Sequence, residues 1–456
     1  MNNNARRASI YLGVFMAVVM LAGVFLPLIR QNARTAQDAP DATTTSLPTF
    51  PPPPSDLTTI TFDQLYLHPS GIFAIGQPDG WDASEPSRGT TIAQVNLVND
   101  ASLAVVDSYI EDPVSPISSE ELSEHFNESA INSSWANFTT WTESNRVYEN
   151  DQLVIDFTVT LQGRTYVARQ RAWTDDDWIY VVRVLVPENA TDLLRYLLDN
   201  FVASLRPMTE FKGMPLNWSA YYDPDVSHII RYPQEWTITD SAPGRPTSIS
   251  STDGILLRVE SRASTSIADE AAATAFVEGT RSGISVVSVE PVERGLATGF
   301  SVAYSYTTVD GTQESGLAVL LNGPDGTLHV ANLVFPASNV DLNNLPEDEV
   351  APESTAEATA EATSEPTAIP NIGSAYSPLA DVVNSFYVIE PLNLSASSLP
   401  ATATPMPTLA PTVALTTEAT AEVTGEVTET ASEATVEAEI TVEATTEATT
   451  ETTNES

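Results

Sequence analysis

An internal repeat constrains this chain more than any other feature of its sequence. The stretch GIFAIGQPDGW at 71–81 returns once, as VSHIIRYPQEW at 226–236. Five residues recur 155 positions later without a gap: Tyr66, Pro69, Ile75, Pro78 and Trp81 return as Tyr221, Pro224, Ile230, Pro233 and Trp236. In both copies a strand ends at a proline, which cannot continue a ladder, and a tryptophan can anchor the turn on a core. The repeat therefore predicts two copies of one domain plan.

The first copy continues with strand-like and helical patterns. Runs rich in β-branched and aromatic residues, separated by turn residues, predict strands. These strands are 91–98, 102–110, 152–161, 165–173 and 178–186. A helix is predicted from Ser118 through Ala130, because hydroxyl and acidic residues fill its first turn. Apolar residues at helical spacing from Ala190 to Leu205 predict a closing helix.

The second copy repeats this order but delays its last helix. Its predicted strands are 255–261, 285–292, 299–308, 314–321 and 327–335, and its predicted helix is 266–281. The run VVNSF at 382–386 resembles LLDNF at 197–201, yet the offset has grown from 155 to 185 residues. We expect a disordered insertion, 343–372, to account for the difference. Such a loop is tolerated because the entropy of closing it grows only logarithmically with its length.

The residues before the first copy predict a membrane anchor on a stalk. Residues 1–7 are polar, and 8–29 contain no charged residue, which is long enough for a helix to cross a hydrocarbon core of roughly 30 Å. An uncleaved single-span anchor is favoured over a cleaved signal peptide, whose apolar region is typically shorter. Residues 30–58 are rich in Pro and Thr and predict an extended stalk. The tail 1–7 is then expected in the cytoplasm.

Charge and cysteine content exclude several classes of function. The net charge is -42, from 61 acidic and 19 basic residues, so nucleic-acid binding is excluded for lack of a basic patch. The chain contains no cysteine, which excludes disulfides, a thiol nucleophile and a cysteine-based zinc site. Residues 395–456 contain glutamates but no Lys, Arg or aromatic residue, and they predict a disordered acidic tail.

The order of these elements resembles the PsbP-like fold. The resemblance rests on a strand leading to Pro-x-x-Trp, strand pairs, a helix, three or four hairpin strands and a closing helix that ends near a Phe. The group includes extrinsic photosystem proteins and bacterial DcrB-like envelope proteins. It implies an α+β fold, in which an antiparallel sheet carries packed helices, and a role in binding and assembly instead of catalysis. The two modules are assigned to 59–208 and 209–394; in the second, His228 replaces Phe73.

No group of residues predicts a catalytic, cofactor or metal site. Asp175, Asp176 and Asp177 have the carboxylates for a Ca²⁺ ion, but a solvated hairpin turn also explains them. The four histidines, His68, His125, His228 and His329, are isolated in sequence and lack zinc-binding spacing.

Tryptophans supply the remaining candidates. Trp81 and Trp236 are expected in the two cores. Four others lie near polar residues, and they either form a carbohydrate or peptide patch or pack across strands. These are Trp135, Trp141, Trp173 and Trp178.

Together the sequence favours a non-catalytic, single-pass membrane protein with most of its chain outside the cytoplasm. It is expected to bind a protein, a peptide or a small ligand, or to scaffold an assembly, without a cofactor. Two alternatives remain open. One is a hydrolase with a site between the two modules. The other is a passive surface protein, in which the stalk and the tail provide spacing and charge.

Overall fold

The computed structural model describes residues 50–86, 88–241, 244–337 and 377–398. In the first module the strands are β1 (Leu65–Leu67), β2 (Phe73–Gly76), β3 (Asp82–Ser84), β4 (Ile92–Asn99), β5 (Ala104–Glu111), β6 (Thr140–Glu149), β7 (Gln152–Leu161), β8 (Arg164–Thr174), β9 (Ile179–Pro187) and β10 (Arg206–Pro207). Its α-helices are α1 (Leu122–His125), α2 (Glu128–Ser134) and α3 (Thr191–Ser204).

The second module has the same series of elements. Its strands are β11 (Ser219–Asp223), β12 (His228–Tyr232), β13 (Thr237–Asp240), β14 (Thr247–Ser250), β15 (Leu256–Arg262), β16 (Ile284–Arg294), β17 (Ala297–Thr307), β18 (Gln313–Asn322), β19 (Leu328–Pro336) and β20 (Tyr387–Val388). Its α-helices are α4 (Glu270–Thr280) and α5 (Ser377–Asn384). Short 3₁₀ turns lie at Leu57–Thr59, Ser119–Glu121 and Thr209–Phe211.

The two modules share one topology. Each has a seven-stranded sheet, in the order β3-β4-β5-β9-β8-β7-β6 in the first module and β13-β14-β15-β19-β18-β17-β16 in the second. Each also has a three-stranded sheet, β1-β2-β10 or β11-β12-β20. All neighbouring strands in these sheets are antiparallel. Because every strand of the second module takes the place of the strand ten numbers earlier, the predicted tandem arrangement is confirmed.

Local turn chemistry fixes the strand register. Asn150-Asp151 and Gln162-Gly163 each form a two-residue loop between long strands, and all four residues have positive φ angles between 51° and 73°. Two central residues with positive φ match the right-handed twist of the strands that they join. The predicted turn at 162–164 is therefore the β7–β8 hairpin, and an additional hairpin, β6–β7, precedes it.

Helices cover both faces of each large sheet. In the first module, α3 and the small sheet pack on one face, and α1, α2 and the residues after them pack on the other. In the second module, α5 and the small sheet cover one face and α4 the other. Because each sheet is packed between two apolar layers, β9 is buried along its whole length.

The closing helices agree with the predicted repeat. Leu193, Leu197 and Phe201 of α3 are buried in the first core. In the second core, Val383 of α5 and Phe386, which follows the helix, are fully buried. The delayed helix therefore belongs to the second module, as predicted. The insertion 343–372 lies outside the described residues.

The predicted helix that starts at Ser118 is broken in the structure. Asn127 interrupts it, because its side chain accepts hydrogen bonds from the backbone of Ser129 and Ala130 and so caps a new helix, α2. In the second module Asp269 caps α4 in the same way by accepting from the Ala272 backbone at 2.8 Å. The helix predicted over 266–281 consequently begins at Glu270.

The flanking segments are partly described. Phe50, inside the predicted stalk, packs edge-on against Tyr166 with ring centroids 5.1 Å apart. At the other end, Ser395–Ser398 of the predicted tail lie on the first module, where the Ser395 hydroxyl hydrogen-bonds the side chain of Gln77. None of the helices in the described ranges is long and apolar enough to span a membrane. The predicted anchor, 8–29, lies outside those ranges.

The two modules pack directly against each other. One apolar core contains Ile72 and Phe73 from the first module together with Leu216, Tyr222 and Ile229 from the second. A bridge also pairs Leu65 with Leu394. These side chains lie between the modules, where the hydrolase alternative placed its site.

Candidate functional site

The acidic triplet at 175–177 forms a hairpin turn held by a lysine. The Lys212 ammonium lies 2.9 Å from the Asp175 carboxylate and 3.0 Å from that of Asp177. Tyr180 donates its hydroxyl to Asp175 at 2.5 Å. Burial alone would raise the pKa of Asp175, but these hydrogen bonds outweigh that effect and lower the pKa. Two of the three carboxylates are thus paired with Lys212.

Two of the histidines that are isolated in sequence meet in the fold. Ser261 lies between them, with its hydroxyl 3.1 Å from Nδ1 of His228 and 3.0 Å from Nδ1 of His329. Burial and the proximity of His329 lower the pKa of His228 to about 3, so His228 is neutral at physiological pH. In the first module burial also lowers the pKa of His68, to about 4. These rings serve as buried neutral hydrogen-bonding groups.

The tryptophans pack inside the modules. Trp81 and Trp236 are buried, as predicted, and each donates its backbone N–H to the proline carbonyl three residues earlier. Trp135 and Trp178 are also buried, and Trp173 stacks on Tyr180 with ring centroids 5.5 Å apart. Trp141 is partly buried, with its ring centroid 6.3 Å from that of Phe157 and its indole N–H donated to the Asn132 side chain. Cross-strand and core packing, the second of the two interpretations, therefore accounts for these four tryptophans.

A buried arginine holds the junction between the modules. Arg231 of β12 is fully buried, and its guanidinium donates to the Ser70 carbonyl at 2.7 Å and to the Pro215 carbonyl at 2.6 Å. It also packs over the ring of Phe211 at 5.3 Å. Burial lowers the pKa of Arg231 to about 9, and the neighbouring Arg88 adds to this effect. Because Ser70 belongs to the first module, this side chain joins the two modules directly.

A concave site lies on the second module. A cleft of about 640 Å³ opens between α4 and the large sheet. Strands β15, β17, β18 and β19 form its floor, and residues 275–281 form its wall. A cleft of this size falls in the range that holds small ligands or the side chains of a peptide.

Aromatic and polar groups line the floor of the cleft. The Tyr304 hydroxyl donates to the Asn332 side chain at 2.6 Å, and burial raises the pKa of Tyr304 to about 12. The Tyr306 hydroxyl donates to the Glu314 carboxylate and accepts from the Arg281 guanidinium. The Arg281 guanidinium also lies 4.5 Å from the centroid of the Tyr306 ring. Both tyrosines are buried, so the groups that the cleft exposes are chiefly the guanidiniums that they help to hold in place.

Three arginines give the cleft a local excess of positive charge. Arg258 and Arg262 both bind the carboxylate of Glu260, at 3.2 and 2.5 Å. Arg281 lies 3.7 Å from Glu314. All three guanidinium groups are about half exposed. Three cations therefore face two carboxylates, within a protein whose net charge is -42.

The equivalent face of the first module is filled. A row of paired residues crosses that sheet through Asp107, Arg183 and Gln170, and the matching row in the second module contains Arg258, Asn332 and Ala318. Over the first row lies Trp135, whose ring centroid is 4.8 Å from the Arg183 guanidinium. The second row instead lines the cleft. An indole therefore covers this row in the first copy, whereas residues of the matching row line a cleft in the second.

Sequence reasoning did not find the cleft. Arg258 and Arg262 lie on β15 and Arg281 follows α4, so no single stretch of the sequence contains all three. One feature of the sequence could have pointed to the cleft, namely the different lengths of the connection between the fifth and sixth strands in the two modules. It has 28 residues in the first module (112–139) and 21 in the second (263–283).

No protein-family model and no curated protein matches this chain. Among solved structures, it is similar to cyanobacterial PsbP (CyanoP) from Synechocystis sp. PCC 6803, with 14% identity and a TM-score of 0.25, over 32% of this chain and 91% of that chain. It is also similar to the Saccharomyces cerevisiae Ran-binding protein Mog1p, with 12% identity and a TM-score of 0.23, over 30% of this chain and 90% of that chain.

A third similar structure is the T6SS immunity protein TplEi of Pseudomonas aeruginosa, solved in complex with an "L" peptide. The identity is 10% and the TM-score 0.19, over 68% of this chain and 98% of that chain. The first of these structures is a PsbP protein, from the group that the order of elements in the sequence resembles. At these identities the likeness is one of fold and not of function.

Proposed function

We propose that this chain is a membrane-anchored, extracytoplasmic binding protein without catalytic activity, and that the cleft of its second module holds the partner. Residues 8–29 are the anchor in this proposal, because they are apolar over the length of a membrane span. The two modules then form one platform outside the cytoplasm. The single observation that supports the proposal best is the contrast between the filled face of the first module and the cleft of the second.

The composition of the cleft is that of a binding surface. Arginine and tyrosine are over-represented among residues that dominate the energy of protein interfaces, because they combine apolar area with hydrogen bonds. The half-exposed Arg281 guanidinium is such a group, and it is held over the buried ring of Tyr306. The half-exposed guanidiniums also retain unused donors, which match the oxygens of a carboxylate.

The charge of the cleft favours an acidic partner. A net charge of -42 repels acidic molecules from most of the surface. The cleft reverses that sign locally, since three arginines face Glu260 and Glu314. An acidic partner is therefore drawn to this place on the module and to few others.

A phage-displayed random peptide library, panned against the purified full-length chain, tests the proposal. The blocking variant is Gly279→Trp, because Gly279 lines the cleft and a side chain added there meets no atom within 4 Å. The matched control is Ala271→Trp, an exposed position on the same helix outside the cleft lining. We expect enriched peptides to bind the wild type and Ala271→Trp alike, and to lose at least tenfold in affinity for Gly279→Trp. Equal binding to all three proteins would refute the site.

A further inference from the structure

Three neighbouring positions of the second module carry polar side chains where the first module has aromatic or aliphatic ones. Strand register pairs Ser261 with His329 across β15 and β19, and His228 of β12 packs on this pair. The equivalent residues of the first module, all part of its apolar core, are Phe73, Ile110 and Tyr180. The fold therefore does not need polar groups at these positions. We call His228, Ser261 and His329 the histidine cluster.

The histidine cluster lies directly behind the floor of the cleft. Successive side chains of a strand point to opposite faces of its sheet. Glu260 and Arg262 line the cleft, so Ser261, which lies between them, is on the opposite face of β15. In the same way, Val330 lines the cleft and His329 lies behind it on β19. The two strands that hold the cluster therefore also form part of the cleft floor.

A directed chain of hydrogen bonds joins the three side chains. The Ser261 hydroxyl is 3.1 Å from Nδ1 of His228 and 3.0 Å from Nδ1 of His329. A hydroxyl has one proton, so it donates to one ring and accepts an N–H from the other. Nε2 of His228 is buried without a hydrogen-bond partner among the described residues, so a proton there would have no acceptor. His228 therefore donates from Nδ1 to Ser261, and Ser261 donates to His329.

This chain requires both rings to be neutral. A protonated imidazole has an N–H on each nitrogen and accepts no hydrogen bond. Protonation of His329 would therefore remove the acceptor of the Ser261 hydroxyl, between two strands of the cleft floor. Protonation of His228 would bury a charge and an unpaired N–H on Nε2. A proton on either ring thus opposes the closed arrangement of β12, β15 and β19.

The surroundings of the cluster do not neutralise such a charge. Within the described ranges, the histidines that have a carboxylate within 4 Å are His68 and His125. The titratable groups that face the cluster from the elements around it are Tyr221, Asp223 and Asp325. Strand β20 and the residue after α5 contribute apolar side chains, Val388 and Phe386. Burial lowers the pKa of both rings of the cluster, and at His329 it outweighs the opposite effect of Asp325.

We infer that the histidine cluster makes the cleft sensitive to acid: a proton breaks the hydrogen-bond chain, loosens the pairing of β15 with β19, and weakens partner binding. Only the last step rests on the proposed function, because it concerns the regulation of the same cleft. In the loosened form the rings reach solvent, where a histidine has a pKa of about 6.5. Lowering the pH from 7.5 to 5.5 then favours opening by about tenfold for each histidine.

Hydrogen–deuterium exchange of the full-length chain, measured by mass spectrometry, tests the opening without a ligand. Protection of β15 and β19 is compared at pH 7.5 and 5.5, after correction for the intrinsic pH dependence of amide exchange. Strands β5 and β9, their equivalents in the first module, show how acid affects the fold as a whole. We expect acid to reduce the protection of β15 and β19 at least tenfold more than that of β5 and β9. An equal reduction in both modules would overturn the inference.

A variant that carries the residues of the first module is the matched control. His228→Phe, Ser261→Ile and His329→Tyr, combined in one chain, should abolish the excess loss of protection, because no titratable imidazole remains in the cluster. Persistence of the excess in this variant would assign the opening to other groups. His329→Gln is the second variant, since it keeps an acceptor for the Ser261 hydroxyl. It should reduce the excess at least threefold even if the triple variant does not fold.

A peptide from the library panning separates the inference from the proposed function. An enriched peptide without histidine, at ten times its Kd, should raise the protection of β15 and β19 about tenfold at pH 5.5, because it binds the closed cleft. If this peptide is blocked by Gly279→Trp but does not protect the strands, the cleft remains the binding site and its regulation by the cluster is wrong. If acid opens the strands but no peptide is sensitive to Gly279→Trp, the proposed function fails and the acid-sensitive opening remains.

Discussion

Acid should destabilise this fold through its buried histidines before ordinary carboxylates titrate. His68 and His228 have pKa values of about 4 and about 3, lowered by burial, whereas a histidine in an unfolded chain has a pKa of about 6.5. Between these values the unfolded state binds the extra proton, so stability falls as the pH falls below about 6.5. Burial lowers the pKa of His329 too, which adds an effect of the same sign.

The size of the loss follows from the difference in bound protons. Lowering the pH from 7.5 to 5.5 should reduce the free energy of unfolding by about 1.4 kcal/mol for each fully buried histidine, hence by roughly 3 kcal/mol for His68 and His228 together. This loss of unfolding free energy depends little on how far each native pKa is lowered, because at pH 5.5 both rings are still neutral in the folded state. Asp107 works in the opposite direction, since burial raises its pKa.

A substitution separates the contribution of His228 to this acid-induced loss of stability from the contributions of such opposing groups. Phe73 occupies the position of His228 in the first module, so His228→Phe uses a residue that this fold already accepts there. Urea unfolding at the two pH values, followed by tryptophan fluorescence, should show the loss reduced by about 1.4 kcal/mol in this variant.

His125→Gln is the matched control for that measurement. Burial alone would lower the pKa of His125, but the hydrogen bond to Glu111 outweighs that effect and raises the pKa. This ring therefore stabilises the fold as the pH falls. The control should therefore keep the whole acid-induced loss or slightly enlarge it. If His228→Phe loses as much stability between the two pH values as the wild type does, the assignment of acid sensitivity to this buried ring is wrong.

Three further predictions concern packing and chain connectivity. Gly71→Ala should destabilise the fold by more than about 1 kcal/mol in thermal or urea unfolding, because Gly71 has a φ of 72° and a Cβ there would lie 2.6 Å from Ala220 of the other module; unchanged stability would contradict this junction. Gly279→Ala should raise the free energy of unfolding by about 0.5–1 kcal/mol, since an exposed glycine inside a helix is replaced where nothing obstructs a side chain; a loss would show that the helix does not tolerate a Cβ. Deleting roughly residues 347–370 should leave the unfolding of the second module cooperative, as judged by calorimetry, because Val383 and Phe386 remain available to its core; loss of that transition would refute the insertion.

The sequence was sufficient to predict those elements that have a strong local pattern. The Pro-x-x-Trp turns, the apolar spacing of α3 and the recurrence of Phe201 as Phe386 predicted the core, because burial at these positions follows periodicity. Strand β6 was missed since it lies at a sheet edge and has mostly polar, half-exposed residues. Its long pairing with β7 became visible only in the sheet.

The cleft could not be predicted from the sequence, because it is formed by tertiary contacts that local sequence patterns do not encode. Arg258, Arg281 and Tyr306 come together because β15, β17 and α4 share one face. The charge of that face depends on strand register, which decides that Arg258 takes the place of Asp107. Likewise, the contact between His228, Ser261 and His329 joins β12, β15 and β19, three strands far apart in the chain.

The docking of 393–398 on β1 has a consequence for biosynthesis. The backbone N–H of Leu65 donates to the Asn393 carbonyl, and the Leu65 carbonyl accepts from Ser395, both at 2.8 Å. A ribosome adds about 5–20 residues per second, so the partners of Leu65 emerge on the order of half a minute after it. The first half of the protein therefore leaves the ribosome with an unfinished sheet edge, and its final hydrogen bonds form only after the last strand of the second half has been made.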